Sequence, residues 1–78
     1  MVKDPLDKEV LVRFGQRVRE EREKRGLSQE KLADLADLHR TYISLVERAE
    51  KNITLWNAAR LARVLGVEIT DLLRKSEY

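Results

Sequence analysis

The sequence predicts an all-α fold of five short helices. Three observations carry that expectation. Apolar residues recur at three- and four-residue spacings along most of the chain, the period of a helix buried on one face. The composition holds three glycines, one proline and 5% aromatic residues against 38% charged ones, which favours helices over sheets. Residues 29 to 48 contain two short helical patterns back to back, with a break of three or four residues between them.

The bulk numbers narrow what the chain can be. At 78 residues it is expected to be one small domain over 1–78, with its core at about 8–74. A core of that size gives marginal stability, so dimerisation or close helix packing is expected to help. There is no cysteine and one histidine, so no disulfide framework, Cys-based zinc site or His-rich metal site is expected. No cofactor or small-molecule ligand is called for. No apolar run is long enough to span a membrane, and Met1 to Pro5 carry no apolar signal region. The expectation is a soluble, cytoplasmic protein. Its 16 basic and 14 acidic side chains leave a net charge of +2. That permits nucleic-acid binding only if the basic groups gather on one face.

The first helix is expected over residues 4 to 25, with Asp4 as N-cap and Pro5 in the first helical position. Leu6, Val10, Phe14 and Val18 repeat every four residues, with Leu11 beside them. Gly15 is a weak point inside the helix, and Gly26 is a left-handed stop. The next position in the apolar series is Arg22, a charge on the buried side that needs a partner. Ser28 caps the second helix, Gln29 to about Ala36, whose apolar positions are Leu32, Ala33, Leu35 and Ala36. Asp37 and Leu38 form the turn. The third helix runs from about Arg40 to Glu47 or Arg48, with His39 an ordinary residue at its start.

At 100° per residue the third helix separates into two faces. Tyr42, Ile43 and Val46 point one way. Arg40, Thr41, Ser44, Leu45 and Arg48 point the other. Glu47 sits at the edge of the apolar side, where it is the natural partner of Arg22 in a structural ion pair. Thr54 caps the fourth helix, 55 to 65, whose core face is expected to use Leu55, Ala58, Ala59, Leu61, Ala62 and Leu65. Gly66 ends it. A last helix spans about 69 to 75, with Glu68 and Thr70 both open as its cap. Residues 76 to 78 are expected to fray.

Two short helical patterns joined by a tight break, with small Ala33 and Ala36 on the first, spell a helix-turn-helix. The outward face of the second pattern suits the major groove of DNA. Arginine can bond a guanine edge in bidentate fashion, threonine and serine can meet either kind of base, and leucine can touch a thymine methyl. The flanks suit phosphates: the amino end at Gln29, then Lys51 and Asn52, then the free amides that open the fourth helix.

Gln29 to Glu47, with Leu27-Ser28 before it and Ala58 to Leu65 after it, resembles the phage repressor and Cro type of helix-turn-helix domain. Leu27-Ser28-Gln29-Glu30-Lys31-Leu32-Ala33, Tyr42-Ile43-Ser44, Glu47-Arg48 and Leu61 to Val67 are similar to that family's recurring phrases. In detail, Arg40-Thr41-Tyr42-Ile43-Ser44 resembles the controller proteins of restriction–modification systems, small dimeric regulators that bind operator DNA. The resemblance implies a lambda-repressor-like fold. It implies base contacts from Arg40, Thr41, Ser44 and Leu45, and phosphate contacts from Gln29, Tyr42, Lys51 and Asn52, with Arg48 near the backbone or groove edge. It also implies the pair between Arg22 and Glu47. The sequence departs from the pattern at Asp37, where the family often has glycine, and at Leu45, where many relatives are polar. Asp tolerates the left-handed backbone that such a turn needs.

Bland readings stand beside these. Tyr42 can be core packing alone. Trp56 and Val64 are dimer-seam candidates, with Val67, Ile69 and Leu73 as alternatives, yet Trp56 can instead cover the chain's own last helix or its N-terminus. The arginines of the first helix, Arg13, Arg17, Arg19 and Arg25, are interleaved with Glu20, Glu21 and Glu23, so most of them read as solvated surface. The expected function is a sequence-specific regulator of transcription, a homodimer on double-stranded DNA with a pseudo-palindromic operator. The competing class is an antitoxin-type interaction protein that autoregulates its operon. No nucleophile with an adjacent base, metal cluster or phosphate-cradling glycine loop supports an enzyme.

Overall fold

In the computed structural model the described residues are 5 to 75, and they form five helices: α1 Pro5–Lys24, α2 Gln29–Ala36, α3 Arg40–Glu47, α4 Leu55–Leu65 and α5 Ile69–Leu73. The proposed Asp4 cap and the fraying of 76 to 78 lie outside the described residues, as does the side chain of Leu6. None of these helices is long and apolar enough to cross a membrane.

The connections are short because each of the first four helices stops in the same way. After α1, the Gly26 N–H donates to the Glu23 carbonyl and the Leu27 N–H to the Arg22 carbonyl. This is the pairing of a Schellman turn, which satisfies the last free carbonyls and needs one left-handed residue. It recurs after α2, α3 and α4 with Asp37, Ala49 and Gly66 in the left-handed position. Three of the residues that follow, Leu27, Leu38 and Val67, fold back onto the core. Helix starts are equally local. The Ser28 hydroxyl accepts from the Lys31 N–H at 2.9 Å, and the Thr54 hydroxyl from the Asn57 N–H at 3.1 Å. The open choice at α5 resolves to Glu68, whose N–H donates to Asp71 Oδ2 at 3.0 Å. That helix ends at Leu73, two residues short of the expected 75, with Arg74 extended and paired to Asp71.

Phe14 and Val18 of α1, Leu32 of α2, Ile43 and Val46 of α3, and Leu61 and Leu65 of α4 meet in one core, which Leu72 of α5 closes. Three expectations need correction. Val10 is 43% exposed, so the α1 stripe leaves the core in its early turns. Leu35 is half exposed, because Leu32, Ala33 and Ala36 centre the buried face of α2 and Leu35 lies about 100° from that centre. Leu55 is 76% exposed: the buried face of α4 is centred on Ala58, Leu61, Ala62 and Leu65, and Leu55 falls about 70° to one side.

Candidate nucleic-acid interface

The α3 helix is held from three sides. Arg22 of α1 donates through Nε to Glu47 Oε2 at 2.7 Å and through Nη2 to Glu47 Oε1 at 3.0 Å. Its remaining Nη1 donates to the Leu27 carbonyl at 2.8 Å. Gln29 of α2 adds Nε2 to Glu47 Oε1 at 3.0 Å. One nearly buried carboxylate therefore ties three helices. The hydrogen bonding to Glu47 outweighs burial and holds the Arg22 guanidinium above its ordinary value. Gln29, expected at a phosphate, thus has its amide turned inward. The amino end of α2 itself is what it leaves for an anion.

The start of α3 is fixed by a residue outside the usual capping set. His39 is its N-cap, and its Nδ1 accepts from the Thr41 N–H at 3.2 Å. The end of α3 is approached by Gly15, a close-contact site rather than a weak point, and by Lys8, whose Nζ donates to the Ala49 carbonyl at 2.8 Å. On the far flank Arg60 of α4 donates to the carbonyls of Ala36 and Asp37, both at 3.2 Å, while its guanidinium lies 5.6 Å from the centre of the Trp56 ring. Arg60 thus caps the end of α2 at the turn. The Gly15, Lys8 and Arg60 ties between elements have no periodic signature, because each joins parts far apart in the chain, whereas the His39 cap is local.

With Ile43 and Val46 committed to the core, Arg40 and Thr41 project fully and Ser44 and Leu45 partly. Arg48, Lys51 and Asn52 are exposed beyond the helix, with Arg48 3.5 Å from Glu50. An open groove lined by Ser28, Glu30, Lys31, His39, Arg40 and Thr41 runs between the starts of α2 and α3. Tyr42 is half-buried against the core, and its hydroxyl accepts from Asn57 Nδ2 at 3.1 Å. Its ring thus packs on the core while its hydroxyl has a partner within the chain.

Among the α1 arginines Arg17 departs from expectation. Arg17 bonds Glu20 at 2.8 Å and Glu21 at 3.0 Å, and its Nε donates to the Asp71 carbonyl at 3.0 Å. Arg25 bonds Glu21 at 2.7 Å, so Glu21, 5% exposed, is the buried centre of a second charged cluster. Burial alone would raise the Glu21 carboxyl, but hydrogen bonds from Arg25, Arg17 and Lys24 outweigh it and hold it below the ordinary range. This cluster ties α1 to α5. Arg19, paired only along its own helix with Glu23, is surface as expected. Among the described residues no group of three or more His, Cys, Asp or Glu could hold a metal ion.

Comparison with known proteins places this geometry. A helix-turn-helix family model (HTH_3) matches residues 18–72. The chain belongs to the helix-turn-helix family of DNA-binding regulators. This helix-turn-helix chain is 52% identical over 61 residues to the control protein C.BamHI of Bacillus amyloliquefaciens, covering 77% of this chain and 75% of that one. The crystal structure of the restriction–modification controller protein C.AhdI from Aeromonas hydrophila matches with a TM-score of 0.77 at 50% identity, over 80% of this chain and 94% of that one. The biofilm master regulator SinR, in complex with DNA, matches with a TM-score of 0.75 at 31% identity, over 78% of this chain and 98% of that one. The lambda-repressor-like architecture read from the sequence is therefore the fold.

Proposed function

We propose that this chain binds double-stranded DNA as a homodimer in the cytoplasm and regulates the transcription of restriction–modification genes, without catalysis. The observation that carries the reading is the division of α3. Its apolar side is spent on the core, and its one acid, Glu47, is spent on Arg22 and Gln29. What faces outward is cationic, hydroxylic or methyl-bearing: Arg40, Thr41, Ser44 and Leu45. Those groups complement base edges in the major groove. Arg48, Lys51, Asn52, the Tyr42 hydroxyl and the amino ends of α2 and α4 flank them and suit phosphates. The control and controller proteins it is similar to support the choice of target genes.

The dimer reading has a surface to match. Val10, Leu11, Leu55, Ile69 and Leu73 rim an apolar groove between α1, α4 and α5, whereas Trp56, 71% exposed, lies outside its lining. Val64, Val67 and Ile69 are half-buried and pack on the chain's own core, which leaves Leu55, Leu73 and Val10 as the more exposed apolar residues of this surface. Two copies joined there would present two α3 helices to one face of a duplex, with half-sites about 34 Å apart.

The test is selection of bound sequences from a random DNA pool, followed by sedimentation of the complex. A two-fold-symmetric consensus occupied by two chains is expected. An unenriched pool would overturn the reading.

A further inference from the structure

We infer that Asn57 is a positioning residue for phosphate recognition: it holds the Tyr42 hydroxyl so that the phenol proton faces a DNA phosphate at the amino end of α4. The inference rests on the DNA-binding reading above and deepens it.

Asn57 lies in the first turn of α4, where its backbone N–H already donates to Thr54. Its side chain therefore adds nothing to the cap. Instead Nδ2 donates to Tyr42 Oη at 3.1 Å, across 15 residues of chain. A phenol can accept and donate at once. With its ring packed on the core, the remaining freedom of Tyr42 at this end is rotation of the O–H. An N–H arriving from Asn57 occupies one lone-pair direction and leaves the proton to point elsewhere.

What lies beside it favours an anion. The α4 helix runs for 11 residues, and the first amides of a helix have no carbonyl partner within it. The helix dipole adds partial positive charge there. Exposed Lys51 and Asn52 lead into the same end. A phosphate drawn to that end can take the phenol proton together with a backbone amide. Without Asn57 the hydroxyl rotor is free, and ordering it falls on the binding step.

The test uses the full chain, its selected operator and four proteins: wild type, Asn57→Ala, Tyr42→Phe and the double variant. Alanine keeps the Thr54 cap and favours a helix more than asparagine does, so melting temperature is expected to hold. Asn57→Leu, close in shape but without the amide, serves as a second variant. Each single change is expected to weaken binding about three- to tenfold on specific and random DNA alike. The double variant is expected to bind no more weakly than Tyr42→Phe. Replacing phosphates one at a time with neutral methylphosphonates is expected to reveal one position that matters to wild type and loses its effect in Tyr42→Phe and in Asn57→Ala. Multiplying losses in the double variant, or wild-type affinity in Asn57→Ala and Asn57→Leu, would overturn the positioning role while leaving DNA binding intact. Failure of the wild-type chain to bind any DNA would overturn both readings together.

Discussion

Gly15 lies against the main chain of Val46: a Cβ built on it would come within 2.4 Å of the Val46 carbonyl oxygen and 3.0 Å of that of Glu47. The missing side chain lets α1 press directly on the end of α3. Backbone cannot rotate aside as a side chain can. Gly15→Ala gains helix propensity but is expected to lose about 1–3 kcal/mol net through overpacking. Urea unfolding measures it. An alanine variant as stable as wild type would mean that α3 can shift to make room.

Glu47→Ala leaves the Arg22 guanidinium, 12% exposed, facing an apolar side chain. A broken buried pair typically costs about 3–5 kcal/mol. The thermal midpoint is expected to fall, and Arg22→Met combined with Glu47→Leu is expected to recover part of it. An unchanged midpoint in Glu47→Ala would show that the pair carries no stability.

The Glu21 cluster predicts an acid limit. Its carboxyl is held below the ordinary value of 4.5, so the unfolded chain takes up that proton first as pH falls. Stability from this group is present above pH 4.5 and is lost as pH drops through the lower folded value. Unfolding titrations between pH 7 and pH 3 are expected to show a loss that Glu21→Gln flattens, since glutamine removes the titrating group. Equal slopes in the two proteins would assign the acid response to other carboxylates.

Arg40 and Lys51 are expected to fail in different ways. Arg40→Ala is expected to cost about 1–3 kcal/mol on the selected operator and to relax preference at one base pair. Lys51→Ala is expected to weaken all DNA evenly and to lower the salt slope by about 1. Binding measured on matched and mutated operators at several salt concentrations separates them. A uniform loss for Arg40→Ala would move that residue to the backbone.

Leu55→Lys places a charge on the rim of the apolar groove without touching the core. Sedimentation is expected to shift toward monomer, and operator affinity to fall with it. Val64→Ala is expected to lower stability while leaving the association constant in place. A dimer that survives Leu55→Lys would locate the seam elsewhere.

What the sequence could and could not reveal follows from the range of each interaction. Ser28, Thr54, Gly26 and Gly66 act within one turn, and each terminus they mark falls where their chemistry requires. Arg22 and Glu47 are far apart in sequence, yet each sits on a helix face that periodicity exposes, so their meeting was legible. Glu21 carried the same signal unnoticed: it follows Phe14 and Val18 at the spacing of one buried stripe, hidden in a run of like-looking charges. Asn57 with Tyr42, Arg60 with the Ala36 and Asp37 carbonyls, and Lys8 with the Ala49 carbonyl had no such signature. Each depends on how far one helix axis lies from another, which a one-dimensional period does not encode. Leu55 failed for a subtler reason, since an apolar residue in the first turn can lie just off the buried face.

The eight-residue α3 is fastened at its start by His39, at its end by Arg22, Gln29 and Gly15, and along its side by Asn57. So short a helix, clamped at both ends, has little room to tilt or slide toward an ill-fitting site. On a DNA target the accommodation then passes to the duplex, which must bend or twist to bring both half-sites to a stiff reader. The cost of that distortion depends on base steps between the half-sites that no side chain reaches. Part of the operator's information would therefore reside in the elasticity of the DNA.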